Sequence, residues 1–341
     1  MYLQSISHAV PSAVFTQREC WELLQVSREL NRLNNRSVAI LEKVLLGDSK
    51  IETRHFATED VDRLFSLDAQ ALNQNFERSA PALARKALTE ALVKADLPAS
   101  ELDALFICTC TGYLCPGLTS YVAEALGLPN QTYLQDIVGL GCGAAIPTLR
   151  GAEGFLAAHP DATAACIAVE ICSSAFYLDN DPGVLISACL FGDGAAATIW
   201  SNNPETTGYR LHNFDTIHAP EHREILRFTN ADGKLRNKLH RSVPDVAAPF
   251  VRQLYDRAET KPESRIAAHV GGRDVLDALE AVLPGTDLGP SWEMLRKYGN
   301  VSSPSVLFAL EAILEASPAP EEVWLTSFGA GFAAHSCTLS E

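Results

Sequence analysis

Apolar residues recur along the chain in two alternating patterns. Helical spacing predicts an amphipathic helix over 81–97 and a second helix over 119–126, whereas continuous apolar runs predict buried strands over 102–109 and 164–170. A loop with the run Asp179-Asn-Asp-Pro-Gly follows the second of these strands. Strands that alternate with helices in this way indicate an α/β architecture with largely buried sheets.

Two long segments are poorer in hydrophobic periodicity. Residues 201–225 and 229–243 are polar and contain several histidines, so we expect loops or a more exposed layer there. They are therefore not assigned to the buried sheets.

A short sequence recurs in the two halves of the chain. The run Phe191-Gly-Asp-Gly-Ala-Ala-Ala-Thr-Ile is echoed by Phe328-Gly-Ala-Gly-Phe-Ala-Ala-His-Ser, and each has a Gly-x-Gly turn that enters a strand of small residues. An apolar helix is predicted upstream of each run, over 142–156 and over 301–315. The alternative is a chance similarity between two runs that are rich in glycine and alanine.

The echo predicts a duplicated α/β unit whose halves meet near residue 205. The N-terminal half spans 1–205 and the C-terminal half spans 206–341. If the halves pair about a pseudo-twofold axis, the N-termini of the two apolar helices face each other at the centre. A functional site there would draw residues from both halves.

The segment around Cys142 predicts a strand, a tight turn and a buried helix. It reads Asp136-Ile-Val-Gly-Leu-Gly-Cys-Gly-Ala-Ala-Ile-Pro, which places the sulfur in the first turn of the helix. A helix N-terminus carries partial positive charge and free N–H groups, which favour a thiolate. We therefore expect a nucleophilic cysteine with a lowered pKa; the alternative is a small residue that packs under a helix.

The second half offers partners for this thiol. His269 ends a short apolar strand and precedes a Gly-Gly turn into a helix, which is a usual place for a catalytic group in an α/β sheet. Asn300 precedes the helix predicted over 301–315 and is expected to cap it. Taken singly, they could be a core histidine and a plain helix cap; together with Cys142 and the duplication they favour a site.

Composition narrows the class of protein. The chain has 341 residues, 47% hydrophobic and 20% charged, which is ordinary for a large globular core. No apolar stretch approaches the ~18 residues of a membrane-spanning helix, and the N-terminus lacks the pattern of a secretory signal. The formal net charge of −15 disfavours nucleic acid as a partner, and it requires a local basic patch for any acidic substrate arm.

The number and placement of the cysteines indicate the cellular compartment. The chain has nine cysteines, an odd number spread through apolar segments, so we expect reduced thiols and a cytoplasmic location. Cys108, Cys110 and Cys115 cluster, but their spacing is not C-x-x-C and no Cys or His pair completes a zinc set. We expect no metal.

Four motifs then match one family in order. They are Gly-Leu-Gly-Cys142-Gly-Ala-Ala, Leu190-Phe-Gly-Asp-Gly-Ala-Ala-Ala, His269-Val-Gly-Gly-Arg-Asp-Val-Leu and Gly299-Asn-Val-Ser-Ser-Pro-Ser-Val-Leu-Phe, and Ser327-Phe-Gly-Ala-Gly-Phe resembles a fifth with alanine in place of proline. The chain resembles the type III polyketide synthases, the chalcone synthase-like branch of the thiolase superfamily.

This resemblance implies a fold, a partner and a reaction. The fold is thiolase-like, with two layered α-β-α-β-α halves, and the enzyme is a homodimer with a Cys142–His269–Asn300 triad. The triad performs decarboxylative Claisen condensation of malonyl-CoA onto a cysteine-bound acyl starter, followed by cyclisation. The starter arrives as an acyl-CoA or on an acyl carrier protein, and no metal, flavin or nicotinamide is required.

Two other functions remain open at this point. One is an initiating ketoacyl-ACP synthase, which shares the fold and the triad. The other is a non-catalytic subunit that keeps the fold and stabilises a partner.

The resemblance also assigns residues around the reacting groups. Phe176 matches a gatekeeper phenylalanine, Asn237 stands where the family has a second one, and Cys110, Thr111 and Cys115 fall where the family lines its cavity and dimer seam. Ordinary core packing is the alternative for each. The glycines of the His269 motif and of the last loop are assigned to substrate binding; they are Gly271, Gly329 and Gly331.

The segment that should bind coenzyme A departs from the family. Leu41, Val44 and Asp48 stand where basic residues are usual. Lys43, Lys50 and Arg54 lie close by in sequence, and Lys50 and Arg54 are predicted to take over the role. Because of this departure, delivery by an acyl carrier protein stays open.

Overall fold

The computed structural model of the protein describes residues 1–58, 63–204, 206–258, 265–283 and 285–341. Its strands are β1 (Tyr2–Ala9), β2 (Val14–Thr16), β3 (Thr53–His55), β4 (Ala104–Thr109), β5 (Tyr133–Val138), β6 (Ala164–Glu170), β7 (Gly194–Ser201), β8 (Arg210–His218), β9 (Leu226–Ala231), β10 (Lys234–Leu239), β11 (Arg265–Ala268), β12 (Glu322–Gly329) and β13 (Ala333–Ser340). Its helices are α1 (Gln17–Val26), α2 (Asn35–Leu46), α3 (Ala69–Lys94), α4 (Leu118–Leu126), α5 (Ala145–Ala158), α6 (Pro182–Leu190), α7 (Val243–Ala258), α8 (Arg273–Val282), α9 (Gly289–Tyr298) and α10 (Ser305–Leu314).

The large sheet is nearly symmetric about its middle. Its strand order is β11-β12-β13-β8-β1-β7-β6-β4-β5, with β1 and β8 adjacent. On one side, β1 pairs antiparallel with β7, β7 pairs antiparallel with β6, and β6 pairs parallel with β4. On the other side, β8, β13, β12 and β11 repeat the same directions: two antiparallel pairs and then a parallel pair. This order supports a duplicated unit. The division into 1–205 and 206–341 remains a prediction, and residue 205 itself lies outside the described residues.

Helix α10 and strand β6 are almost completely buried, whereas α5 buries one face and exposes the other. All seven residues of β6 are buried, as its continuous apolar run predicts. In α10, eight of ten residues are buried, which places it among the core elements. Both α5 and α10 pack against β12, so the segments that lead into them converge at one place in the core.

Several predicted elements agree with the structure. The strand predicted over 164–170 is β6, the strand over 102–109 contains β4, and the helix over 119–126 is α4. The helix predicted over 81–97 is longer and starts at Ala69, where the Asp68 side chain accepts from the Ala71 N–H. Pro81, which is typical of a helix start, lies inside it.

The polar segments differ from the prediction in one respect. Residues 201–225 contain β8, a full strand of the large sheet that pairs with β13. The pattern was hidden because only Leu211 in this strand is fully buried, and its other residues are partly or fully exposed. Residues 229–243 form mainly the hairpin β9–β10 outside the large sheet, as an exposed layer would.

Among the described residues, no helix combines the length and the apolar content that a bilayer crossing requires.

Candidate active site

Cys142 lies in a tight turn that packs against the end of β12 and the loop after it. The turn Gly141–Gly143 precedes α5, and Gly141 has a positive φ of 58° that favours glycine. The loop after β12 packs against it backbone to backbone. A Cβ atom on Gly329 would lie 2.3 Å from the Leu140 carbonyl oxygen and 2.5 Å from the Gly143 nitrogen. Glycine at this position is therefore required by the close approach.

His269 directly follows β11, at the carboxyl end of the strand. Its backbone N–H donates to the Thr326 carbonyl over 2.9 Å, which continues the pairing of β11 with β12. The ring is 2% exposed and packs edge-on against Phe328, with 5.1 Å between centroids. Its Nδ1 atom lies 2.7 Å from the Ser305 hydroxyl oxygen in the first turn of α10. The imidazole is therefore fixed by the element that begins just after Asn300.

Asn300 does not cap α10, contrary to the prediction. Pro304 occupies the position before that helix, and the Asn300 carboxamide oxygen instead accepts from the Ser302 N–H over 2.8 Å. Its Nδ2 donates to the Gly271 carbonyl over a long 3.3 Å, so one of its two N–H groups is free for another acceptor.

One cavity brings these three groups together. A cavity of about 450 Å³, which we call the outer cavity, is lined by Cys142, His269 and Asn300. Gly271, a predicted substrate-binding residue, also lines it. The charged residues of its lining are Lys43, Asp48, Arg241, Arg273 and Asp274. The three residues singled out from sequence thus share one space.

Ser302 and Glu170 are site residues that the sequence reasoning missed. The Ser302 hydroxyl donates to Cys142 Sγ over 3.2 Å and also lies 3.4 Å from Cys110 Sγ. Glu170 is fully buried at the end of β6, where it accepts from Ser303 over 2.5 Å and from Thr111 over 2.8 Å. A carboxylate that ends an otherwise apolar strand was a signal that could have found it.

Ser302 has a backbone that few residues adopt. Its φ is +59°, in the left-handed region where a non-glycine residue is strained. The hydrogen bond from its N–H to Asn300 holds this conformation. The hydroxyl therefore reaches the thiol at a conformational cost.

Burial makes both reacting groups neutral in this structure. It raises the pKa of the Cys142 thiol to about 12, with the nearby Glu170 carboxylate acting in the same direction and the Ser302 hydrogen bond opposing both. It lowers the pKa of His269 to about 3. The expectation of a lowered thiol pKa is therefore wrong for the resting structure. Desolvation outweighs the positive end of α5.

A second, smaller cavity lies behind Phe191. This inner cavity, of about 20 Å³, is lined by Thr111, Phe176 and Asn237 among others. Phe191 lines both cavities, and it is the one residue that they share in the described part of the chain. The position between entrance and interior thus belongs to Phe191, whereas Phe176 lines only the inner cavity.

Asn237 and Phe176 are both held by inner contacts. The Asn237 carboxamide donates to the Ser187 hydroxyl over 2.8 Å, and the residue is 6% exposed. Phe176 stacks on Phe65 with 5.8 Å between centroids. Asn237 therefore lines the inner cavity, and its place at the second gatekeeper position remains a prediction.

The three clustered cysteines occupy different surroundings. Cys108 is fully buried, Cys110 reaches Ser302, and Cys115 is exposed in the loop after β4. The described residues contain no group of three or more histidines, cysteines or carboxylates placed to hold a metal ion.

Arg54 and Lys50 do not line the outer cavity. Arg54 is fully buried, and its guanidinium donates to the carbonyls of Ala188 and Phe191 over 2.7 and 2.9 Å. The prediction that it binds coenzyme A is not supported, because the guanidinium is buried away from the outer cavity: Nη1 and Nε are hydrogen-bonded inside the core, and Nη2 is buried without a partner. Lys50 is exposed and pairs with Asp48 over 3.0 Å.

The other residues of the predicted coenzyme A-binding segment differ in whether they line the outer cavity. Lys43, Val44 and Asp48 line the outer cavity, whereas Leu41 is in the core. Gly331 lies in the loop after β12 with a φ of +139° and lines neither cavity.

Replacing Arg54 by methionine should destabilise the protein without touching substrate. Two buried carbonyls and the Gln17 side chain lose their donor, so we expect the free energy of unfolding to fall by about 3 kcal/mol or more. Urea unfolding measures this, and the exposed Arg18→Met on α1 is the control, expected within about 0.5 kcal/mol of wild type. If the variant kept its stability but bound coenzyme A more weakly, Arg54 would be a coenzyme A-binding residue after all.

Comparison with known proteins settles the family. The model described as FAE1/Type III polyketide synthase-like protein matches residues 11–254, more than two thirds of the chain. The chain belongs to this family. The predicted resemblance to type III polyketide synthases is thus confirmed.

Individual members are similar over most of the chain. The 1,3,6,8-tetrahydroxynaphthalene synthase of Streptomyces coelicolor is 28% identical over 341 residues, covering 96% of this chain and 89% of that protein. The 3,5-dihydroxyphenylacetyl-CoA synthase of Streptomyces toyocaensis is 30% identical over 288 residues, covering 79% and 74%. The crystal structure of the S. coelicolor tetrahydroxynaphthalene synthase superposes with a TM-score of 0.85 at 27% identity, covering 100% of this chain and 99% of that one.

These likenesses confirm the fold class and the kind of enzyme. The fold is thiolase-like, and this type III polyketide synthase is an acyltransferase of the condensing type. The ketoacyl-ACP synthase and the non-catalytic subunit are therefore the weaker interpretations.

Proposed function

We propose that Cys142 carries the growing acyl chain while His269 and Asn300 bind the thioester oxygen of malonyl-CoA. The observation that carries this proposal is the convergence of the three side chains on the outer cavity. Loss of carbon dioxide leaves an enolate, and N–H donors aimed at its oxygen stabilise the developing charge. An amide suits this role because it donates without titrating. The enolate then attacks the acyl group on the sulfur, which extends the chain by two carbons.

Loading requires a proton to leave the thiol. Both groups are neutral at rest, so His269 Nε2 takes the thiol proton as the sulfur attacks the incoming thioester. The bond between the acyl group and coenzyme A breaks, and coenzyme A leaves as a thiolate that takes up a proton from water. The Ser305 hydroxyl accepts from the Val270 N–H over 3.2 Å and lies against His269 Nδ1. A hydroxyl can donate to Nδ1 or accept from it. Ser305 can thus serve the imidazole both before and after proton transfer.

Ser305→Ala should slow loading and condensation together. Loss of one hydrogen bond to the imidazole is worth about 1.4 kcal/mol, which corresponds to about a tenfold fall in kcat/KM. Ser305→Thr keeps the hydroxyl and is expected to recover most of the rate. The measurement is steady-state product formation together with melting temperature. If threonine recovers stability but not rate, Ser305 does not position His269.

The basic groups of the outer cavity suit an anionic substrate arm. Lys43, Arg241 and Arg273 lie in its lining on a chain whose formal net charge is −15. Arg273 pairs with Asp274 over 2.9 Å, so we assign Lys43 and Arg241 first, and Arg273 second, to the phosphates of coenzyme A. Delivery by an acyl carrier protein is the alternative that this arrangement supports less directly.

We propose that the protein is a homodimer that pairs through β5. This strand is the last of the sheet, and its backbone edge has no neighbour in the described part of the chain. Tyr133, Leu134 and Val138 on it are 39–54% exposed, as is typical of an edge that another chain covers. Cys115 is exposed in the loop after the adjacent β4, so we place it near the partner.

Val138→Lys should convert the dimer to a monomer. A charge on the paired edge opposes association, so we expect the sedimentation coefficient in analytical ultracentrifugation to fall to that of one chain. Val93→Lys, on a still more exposed valine of α3, is the control and should leave the dimer unchanged. Equal dissociation by both variants, or by neither, would place the interface elsewhere.

The reaction itself is tested with purified protein. Labelled malonyl-CoA and a panel of acyl-CoA starters should yield extended, cyclised products by mass spectrometry without any carrier protein. A strict need for a carrier protein would favour the ketoacyl-ACP synthase. Absence of any acyl adduct with every thioester would favour the non-catalytic subunit. We also propose a cytoplasmic location, which the nine free thiols support.

A further inference from the structure

One polar side chain lies on the otherwise apolar buried face that the β9–β10 hairpin turns towards the cavities. Asn237 is 6% exposed and lines the inner cavity. Its neighbours on the same side of β10 are Leu235 and Leu239, and Phe228 lies opposite it on β9. A buried amide in such surroundings needs partners for its polar atoms, and the proposed reaction uses neither of them.

The contact with Ser187 fixes the orientation of the Asn237 carboxamide. The Ser187 hydroxyl donates its one hydrogen to the Gly183 carbonyl over 2.6 Å, so it can only accept from Asn237, 2.8 Å away. The amide atom beside Ser187 is therefore Nδ2. Oδ1 accepts no hydrogen bond from any described residue, and it keeps accessible surface. Oδ1 and the second hydrogen of Nδ2 are thus available to a ligand.

The inner cavity admits only a small group. Its volume of about 20 Å³ exceeds the ~10–15 Å³ that one water-sized probe occupies, but it leaves no room for a long tail. The Thr111 hydroxyl, also in its lining, donates to Glu170 over 2.8 Å and accepts from the Ile171 N–H over 2.9 Å. It has no hydrogen left to donate. A small ligand group therefore meets a free acceptor at Asn237.

The inner cavity lies beside the reacting thiol. Cys142 packs in one buried cluster with Cys172, Phe176 and Phe191, and the last three line the inner cavity. Cys142 itself lines the outer cavity, to which we assign the coenzyme A arm. An acyl group on the sulfur can therefore point away from that arm, past Phe191, and place its next few atoms at the inner cavity.

We propose that Asn237 binds a hydroxyl group of the acyl chain on Cys142 by accepting its hydrogen at Oδ1. The hydroxyl belongs either to the starter or to the enol form of a keto group that extension adds. An analogue without the hydroxyl leaves a buried acceptor unpaired, which is how a polar site rejects an apolar competitor. Because Cys142 must carry the chain for this contact to form, the inference rests on the proposed function.

Matched pairs of starters test this contact on the wild-type protein. Lactoyl-CoA is compared with propionyl-CoA, and β-hydroxybutyryl-CoA with butyryl-CoA; the two members of a pair differ by one oxygen atom. The rate of acyl adduct formation on Cys142 is followed by intact-protein mass spectrometry. We expect the hydroxylated member of at least one pair to load with a kcat/KM about tenfold higher, the factor that one hydrogen bond supplies.

Asn237→Leu should abolish this preference. Leucine has a similar size but neither polar atom, so both members of a pair should load at the same rate. Asn230→Leu is the matched control: it makes the same change on the same hairpin, where the side chain is exposed and lines neither cavity, and it should keep the preference. Each ratio compares two thioesters on one variant, so a change in stability alone does not alter it.

A second measurement separates the two sources of the hydroxyl. With butyryl-CoA as starter and malonyl-CoA as extender, the hydroxyl can come only from an enol that extension creates. Slower formation of extended products in Asn237→Leu, by about tenfold, with butyryl loading unchanged, would assign the contact to the enol. A preference at loading would assign it to the starter.

Two results would overturn the proposal and leave the proposed function intact. One is equal loading within both pairs by wild type together with normal extension of the butyryl chain by Asn237→Leu. The other is a loading preference that Asn237→Leu keeps, which would place the hydroxyl at another residue. If wild type loads none of the four thioesters, the proposed function fails, and the role of Asn237 fails with it.

Discussion

Cys142→Ala is expected to abolish transfer of an acyl group from coenzyme A to the protein. The only thiol that lines the outer cavity in the described residues is then gone, and no nucleophile replaces it. Removal of the nucleophile in a group that acts as a unit costs about 10⁴-fold or more in rate. The alanine side chain fits the Gly141–Gly143 turn, and the change breaks one hydrogen bond, that from Ser302. Stability should therefore fall by only about 1 kcal/mol.

Intact-protein mass spectrometry after incubation with an acyl-CoA gives the direct measurement. Wild type should gain the mass of one acyl group, and Cys142→Ala should gain none. Cys166→Ala removes a thiol that is buried in β6 and is not part of the outer cavity's lining, so it is the matched control and should load normally. An adduct that persists in Cys142→Ala would show that another residue carries the chain. Carbon dioxide release from malonyl-CoA should continue in this variant, because His269 and Asn300 are intact.

The same measurement has an expected pH dependence. Because the thiol pKa is raised to about 12 and the imidazole pKa is lowered to about 3, proton transfer between them is uphill at neutral pH. The thiolate fraction rises about tenfold per pH unit below the thiol pKa. Between about pH 7 and pH 9 both groups stay neutral and the imidazole takes the proton directly, so the loading rate of wild type should be flat. His269→Gln has no base and depends on free thiolate, so its slower loading should rise about tenfold per pH unit; the same rise in wild type would show that His269 does not take the proton.

Much of the fold and the core of the site could be predicted because they depend on local pattern. A glycine-flanked cysteine before an apolar run can be recognised from a few neighbouring residues, and so can a histidine at the end of a strand. The recurrence of Phe191-Gly-Asp-Gly as Phe328-Gly-Ala-Gly marked strand entries in both halves, and the sheet order is symmetric about its centre. Strand β8 was not predicted, because too few of its residues are buried to produce the alternation of apolar and polar residues that is typical of a strand.

The remaining features depend on contacts between distant parts of the chain. Ser302 reaches Cys142 across 160 residues of sequence, and Arg54 reaches the Phe191 carbonyl across 137. Nothing near either residue in the sequence specifies these partners. The thiol pKa depends on desolvation by the whole surrounding core, which a local argument from a helix N-terminus omits. Packing between distant segments also decides which residue the two cavities share: the motif match indicates Phe176, whereas Phe191 lines both cavities.

The roles of the thiol and of the amide can be separated at Asn300. Its carboxamide oxygen holds the Ser302 N–H, while its nitrogen faces the Gly271 carbonyl and the outer cavity. Asn300→Asp keeps an oxygen for Ser302 but removes the donor and places a negative charge where the enolate forms. Loss of one such donor costs about 10²–10³ in kcat. Carbon dioxide release and product formation should fall by this factor, while loading of Cys142 stays within about threefold of wild type, a difference worth under 1 kcal/mol.

Two further variants make this result specific. Asn300→Ala also loses the donor but leaves the Ser302 N–H buried and unpaired, so it should cost an additional 1–3 kcal/mol or so in stability. Asn75→Asp alters another buried amide, which donates to Ser174 over 3.1 Å and lines neither cavity. It should leave decarboxylation per folded molecule unchanged, as measured by release of labelled carbon dioxide. Equal loss of loading and decarboxylation in Asn300→Asp would mean that Asn300 supports the site as a whole and does not act on the enolate.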